Sequence, residues 1–231
     1  MQLFYGHIIE ERFQLHEIKI NNCVRVLRKN VGEVINFITG DGNLYSGTIE
    51  IASKREVKGT YQLKEKRWGN VPYDLTIAVA PTKNMDRFEW FLEKSIELGV
   101  SRIIPLRCDR SERKIIKDER LFKVALSATK QSLKGRLPVI DPLTSFEDFV
   151  AGSLEGTRCI AHCEDTERKA FTKVAPSESL IVLIGPEGDF TPDEVQLAQQ
   201  SGFTPIHLGQ SRLRTETAAL TAVSMVYAAH L

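Results

Sequence analysis

Four cysteines in 231 residues are too few and too scattered for a disulfide framework, and a chain this long needs none to hold a core. They stand at Cys23, Cys108, Cys159 and Cys163. The run Cys159-Ile160-Ala161-His162-Cys163 offers two thiolates and an imidazole, but structural zinc draws its ligands from two separated pairs, and there is no second pair. The run reads as an interior strand entering a loop, and no metal is expected. Neither sign of charge dominates: 31 Lys and Arg against 30 Asp and Glu leave a formal charge of +1. That balance excludes a protein that binds nucleic acid by bulk charge, so any RNA-binding face must be local. No apolar run approaches the roughly 20 residues of a membrane span. The opening residues lack a basic segment followed by an apolar core, so a cytoplasmic address is the expectation. Internal repeats and low-complexity segments are also absent.

What is present is an ordinary globular composition, 42% hydrophobic and 26% charged, enough for one large domain or two modest ones. Basic residues cluster locally: Arg25, Arg28 and Lys29; Arg107, Arg110, Arg113, Lys114 and Lys117; Lys130, Lys134 and Arg136; Arg212 and Arg214.

The first seventy residues read as β-rich. Strands are expected over 34–38, 44–51 and 57–63, with a hairpin loop at Thr39-Gly40-Asp41-Gly42-Asn43 and a short helix over 21–28. Closely spaced short strands suggest a small barrel. The polar run 64–70, ending in Gly69-Asn70, marks a boundary between domains 1–70 and 71–231. Beyond it strands and helices alternate. Strands are expected over 75–80, 102–106, 158–161, 180–184 and 205–208, and helices over 85–98 and 121–134, with another starting at Thr191-Pro192-Asp193-Glu194. This alternation predicts an α/β domain with a mainly parallel sheet covered on both faces. The last helix, 217–231, is apolar nearly all round, which suggests burial on more than one side and a second chain against it.

Two stretches carry the chemistry. Leu183-Ile184-Gly185-Pro186-Glu187-Gly188-Asp189-Phe190 and Leu208-Gly209-Gln210-Ser211-Arg212-Leu213-Arg214-Thr215-Glu216-Thr217-Ala218 each follow an apolar strand and precede a helix. In open α/β sheets, ligands collect at such loops. Gly185, Gly188 and Gly209 are read as letting backbone approach a ligand.

These stretches resemble the SPOUT class of RNA methyltransferases. Within that class the match is to the family that methylates N3 of a uridine in small-subunit ribosomal RNA. Lys94, Glu97-Leu98-Gly99-Val100, Pro105, Arg110-Ser111, Gln131-Ser132 and Val26-Leu27-Arg28 extend the resemblance across nearly the whole chain. It implies a PUA-like RNA-binding barrel at the N-terminus, a C-terminal SPOUT domain with a trefoil knot, and a homodimer. It also implies S-adenosylmethionine as cofactor and ribosomal RNA as partner. Two positions depart from the family: Asp189, where a second glycine is usual, and Asn21-Asn22, where a histidine precedes the Val-Leu-Arg segment.

The cofactor-binding residues so implied are Leu183, Ile184, Gly185, Glu187, Gly188, Leu208, Gly209, Leu213 and Thr217. Glu187 has a structural alternative, bonding loop amides. Transfer to a uridine ring nitrogen requires loss of the imide proton. Arg214, and after it Arg212, would stabilise the uridinate oxygens, and Glu216 could accept the proton or simply complement the helix start. Arg25, Arg28, Lys83, Arg110, Arg113 and Arg136 would meet RNA phosphates. His162 and His207 lie nearby, but a lone strand histidine is usually satisfied within the structure. Two rival functions stay open: methylation of transfer RNA or of a ribose hydroxyl, and a non-catalytic RNA-binding assembly protein.

Overall fold

The computed structural model describes residues 1–17, 20, 22–153, 155–164 and 167–231. Met1–Asn70 with Leu126–Leu137 form one compact unit, and Val71–Ala125 with Pro138–Leu231 form the other.

In the first unit, β1 (Leu3–Ile9), β2 (Arg12–Leu15), β3 (Val34–Ile38), β4 (Leu44–Ala52) and β5 (Val57–Glu65) close into a barrel in the order β1-β2-β5-β4-β3. The two-residue period of each strand turns Phe4, Phe13, Leu15, Ile35, Phe37, Tyr45, Ile49 and Val57 into one buried cluster. At Gly59 a Cβ would stand 1.8 Å from the Thr48 carbonyl oxygen, so only glycine permits this approach of β5 to β4. Of the helix expected over 21–28, Asn21 lies outside the described residues. The chain makes a wide helical turn over Asn22–Val26 and breaks at Arg28, whose φ of 51° is left-handed. Residues well beyond the barrel in sequence join it. Gly42 donates its amide to the Gly135 carbonyl, and Arg136 pairs with Gly40 and Asp41. Arg136 therefore belongs to the barrel unit, whereas its sequence position suggested the α/β domain.

The second unit is an α/β sheet. Its strands are β6 (Asp74–Val79), β7 (Arg102–Arg107), β8 (Val139–Ile140), β9 (Thr144–Ser145), β10 (Thr157–Ala161), β11 (Lys169–Ala170), β12 (Ser179–Ile184) and β13 (Thr204–His207). They run in the order β11-β13-β10-β12-β6-β7-β8, with β9 beside β7, and every pairing is parallel. The helices are α1 (Met85–Leu98), α2 (Asp118–Gln131), α3 (Phe146–Ala151), α4 (Pro192–Gln200) and α5 (Thr215–Ala229); α2 carries the chain from this unit into the other.

Helix α1 starts where the Asn84 side chain accepts the Asp86 amide and stops at Gly99, left-handed at φ 95°. Helix α4 opens on the capping box expected of Thr191 and Glu194. Helix α2 starts and ends three residues earlier than its sequence pattern suggested, and its acidic first turn (Asp118, Glu119) favours that start. Helix α5 starts at Thr215 and packs on α1, β6 and β12. Its Val223 and Val226 are wholly buried within the subunit, while Leu220, Met225 and Tyr227 are only half-buried.

Candidate active site

The sheet order changes the site that the sequence suggests. Strands β12 and β13, whose loops carry the two motifs, are not neighbours, because β10 lies between them. Ala161 at the end of β10 stands opposite Ile184 on one side and Ile206 on the other. The segment that follows β10, His162 to Glu164, thus leaves the sheet between the two motif-bearing loops.

The Gly185–Phe190 loop is held from every side. The Pro186 carbonyl accepts the Asp189 amide at 2.9 Å, which closes a four-residue turn. A Glu187 carboxylate oxygen accepts the Lys83 amide at 3.0 Å, the structural alternative foreseen for it. The Arg110 guanidinium donates to the carbonyls of Gly188 (2.8 Å) and Phe190 (3.2 Å). Arg113 donates to the carbonyls of Thr82 and Lys83. Arg110 and Arg113, expected to meet phosphates, therefore each hold two backbone carbonyls, Arg110 through Nη1 alone and Arg113 through Nε and Nη2. Lys83 remains exposed, with its ammonium 2.8 Å from Glu112; the hydrogen bond between them, and then the carboxylate's charge, raise the lysine pKa.

Asp189, the departure from the family pattern, fits for two reasons. Its φ of 62° is left-handed, a conformation aspartate tolerates better than most residues. Its carboxylate accepts the Cys163 amide at 2.7 Å and its neighbour Phe190's amide at 2.8 Å, tying the β12 loop to the end of β10. Burial raises the Cys163 thiol pKa, and the Asp189 carboxylate adds to that. Among the described residues no group of three or more His, Cys, Asp and Glu side chains could hold a metal.

The glycines divide by role. A Cβ at Gly185 would press on Phe190 at 3.1 Å, and one at Gly188 on the Arg110 side chain at 3.3 Å. These two serve packing within the protein. Gly209 differs: its φ is 130°, and nothing lies within 4 Å of where a Cβ would stand. Leu183 and Ile184 are interior strand residues paired on both sides, so of the expected walls only Leu208 and Leu213 are half-buried rather than interior. Thr217 is exposed, and its carbonyl accepts the Thr221 hydroxyl. The threonine that joins the two motifs is Thr215, whose buried hydroxyl donates to the Gly185 carbonyl at 3.1 Å. This bond sets the start of α5 against the β12 loop.

Arg214 is the residue preceding α5, in extended conformation and exposed, and its carbonyl accepts the Ala218 amide. Its guanidinium makes no hydrogen bond or ion pair among the described residues. Arg212 is also exposed, close enough for its charge to favour the Cys163 thiolate. Glu216 is buried in the first turn of α5, with its carboxylate 3.8 Å from Arg87 of α1. Arg25 and Arg28 are exposed on the barrel unit.

Residues 70–227 match the family model described as the RNA methyltransferase domain, and residues 23–60 match that of the RNA methyltransferase PUA domain. A ribosomal RNA small subunit methyltransferase E from Bacillus subtilis is 30% identical, over 93% of this chain and 89% of that protein. The chain belongs to the small-subunit ribosomal RNA methyltransferase E family. Solved structures agree. One described as a probable rRNA-methyltransferase from Porphyromonas gingivalis is 36% identical with a TM-score of 0.87, covering 100% of this chain and 98% of that one. A ribosomal RNA small subunit methyltransferase E from Neisseria gonorrhoeae, bound to S-adenosyl methionine, is 25% identical with a TM-score of 0.77, covering 97% and 95%. The expected barrel followed by a parallel α/β domain is thus the architecture of an RNA methyltransferase. The clamped loops stand at the carboxyl ends of its strands, where open parallel sheets place their ligands.

Proposed function

We propose that this RNA methyltransferase transfers the methyl group of S-adenosylmethionine to N3 of a uridine in small-subunit ribosomal RNA. The observation that carries this reading is the Thr215–Gly185 bond. It sets Arg214 against a loop that is already fixed before any ligand arrives. The residues fit an adenosyl cofactor: Gly209 leaves open space, Leu208 and Leu213 supply apolar surface, and the loops present backbone groups. The Neisseria gonorrhoeae relative binds this molecule. The choice of uridine N3 rests on the motif resemblance at 208–218.

S-adenosylmethionine supplies a methyl carbon already activated by its sulfonium. What the chain must add is alignment and removal of the imide proton. Arg214, exposed and uncommitted, faces incoming RNA and stabilises the uridinate oxygens as the proton leaves. Arg212 offers a second cation nearby. The burial of Glu216 and its position beside Arg87 favour the helix-start role over proton acceptance. Arg25, Arg28, Arg136 and Lys83 are the exposed cations for phosphates. With ribosomal RNA as substrate, the reaction in this reading is cytoplasmic. Deleting the gene should remove 3-methyluridine from small-subunit ribosomal RNA, and re-expression should restore it. Persistence of the nucleoside would contradict the reading.

We also propose a homodimer through α5, a helix rich in alanine whose half-buried Leu220 and Met225 stand at the two edges of its outer face. Changing both to Glu should convert the dimer to a folded monomer in sedimentation equilibrium. An unaltered dimer would move the interface elsewhere. Val223 and Val226 are unsuitable for this test, because charges there would disrupt the subunit's own core.

A further inference from the structure

The outward face of β1 and β2 carries three rings, all within the barrel unit. The inward positions of these strands, Phe4, Phe13 and Leu15, fill the barrel core. Side chains alternate along a strand, so Tyr5 and His7 on β1 share the opposite face with Gln14 on β2 and His16 just after it. Register sets His7 directly across from Gln14, and the His16 amide bonds the Tyr5 carbonyl at 3.0 Å. The rings of Tyr5, His7 and His16 form a triangle, with centroids 5.4, 5.7 and 5.7 Å apart. Their planes meet at 76°, 45° and 54°, so they are tilted against one another rather than stacked. Exposure grades across the triangle: Tyr5 is buried, His16 half-buried and His7 exposed.

A cation borders this face. A Cβ at Gly40 would stand 3.8 Å from the Tyr5 ring and 3.1 Å from the Leu137 side chain. Arg136, which pairs with Gly40, is therefore on a segment that runs beside the rings. It is exposed, and its guanidinium makes no hydrogen bond or ion pair among the described residues. Two neighbouring imidazoles also suit a metal, but among the described residues no third His, Cys, Asp or Glu joins them. What the face offers is what single-stranded RNA uses: rings on which a base stacks, and a cation for phosphate. The Gln14 amide adds donors and an acceptor for a base edge. A duplex hides its base faces and has no use for such rings.

We infer that this face of the barrel holds an unpaired base of the RNA substrate, stacked on His7 and His16 with Gln14 at its edge. The inference rests on RNA being the substrate, and adds base contact to the phosphate contacts already proposed for the barrel arginines.

Fluorescence anisotropy with a labelled single-stranded RNA of mixed sequence, and with the same strand annealed to its complement, reads the contact. Wild type should prefer the single strand. His7→Ala should bind it about tenfold more weakly, the scale of one lost base–ring stack. His7→Phe keeps a flat ring and should stay within about threefold of wild type; His7→Lys keeps only a cation and should not recover. Salt separates stacking from charge. His7→Ala should lose affinity with salt as steeply as wild type, whereas Arg136→Ala should flatten the logarithmic slope by about 0.7, the value of one phosphate contact. His7→Ala should bind S-adenosylmethionine normally by calorimetry, which shows that it is folded.

A His7→Ala variant that binds the single strand as wild type does would overturn the inference and leave RNA binding standing. Rescue by lysine rather than by phenylalanine would do the same, as would a wild type that prefers the duplex. If the alanine variant does not fold, the comparison of His7→Phe with His7→Lys decides alone. A wild type that binds neither RNA would sink the RNA reading itself, and the inference with it.

Discussion

Arg214→Ala is expected to bind S-adenosylmethionine almost normally and to methylate about a hundred- to a thousandfold more slowly. That is the usual cost of removing one preorganised donor from a developing negative charge. The guanidinium has no partner within the protein's described residues, whereas Arg110 and Arg113 hold loop carbonyls. Its loss should leave the fold intact. Because the uridine oxygens become anionic only as the imide proton leaves, the interaction is made mainly in the transition state, so turnover falls more than affinity. Arg214→Lys should recover only part of the rate, since a point charge cannot reproduce a planar pair of donors. Single-turnover measurement with saturating RNA and cofactor isolates the step. A rate for the alanine variant within a few-fold of wild type would make Arg214 an RNA-docking residue.

Gly209→Val should abolish cofactor binding in a protein that still folds. The φ of 130° lies where L side chains are strained, and a branched side chain would fill the space now open beside the loop. Strain of this kind costs about 1–3 kcal/mol, which a domain with a core this extensive can absorb. Gly209→Ala separates the two effects: it carries most of the backbone strain with little of the bulk, so it should melt lower and keep measurable binding. Calorimetry reads both variants. Unchanged affinity in the valine variant would remove this loop from the cofactor site.

The parts of the molecule legible in the sequence are those whose causes are local. Leu180 to Ile184 is an unbroken apolar run because its strand is buried on both faces. Gly185-Pro186 punctuates it, and Thr191 with Glu194 spells out the next helix start. Strands β8, β9 and β11, of two residues each, are too short to carry a period, and α3 at six residues barely completes a turn and a half. The roles of Arg110 and Arg113 were hidden for a different reason. Their carbonyl partners lie 30 to 80 residues away in sequence, so each read as a free cation. The intervening position of β10 is likewise a fact of topology. Without it the segment that follows β10 could not be placed between the two motif-bearing loops. Thr215 and Thr217 both offer hydroxyls in the motif, and only the packing of α5 decides which one turns inward.

Small-subunit ribosomal RNA or its assembly particles, incubated with the purified protein and methyl-labelled S-adenosylmethionine and then digested to nucleosides for mass spectrometry, test the central claim most directly. The account predicts label in 3-methyluridine, at most one methyl per RNA, and none with the Arg214→Ala variant on the same timescale. Label in a ribose-methylated or a different base-methylated nucleoside, or no label from protein that binds the cofactor, would contradict it.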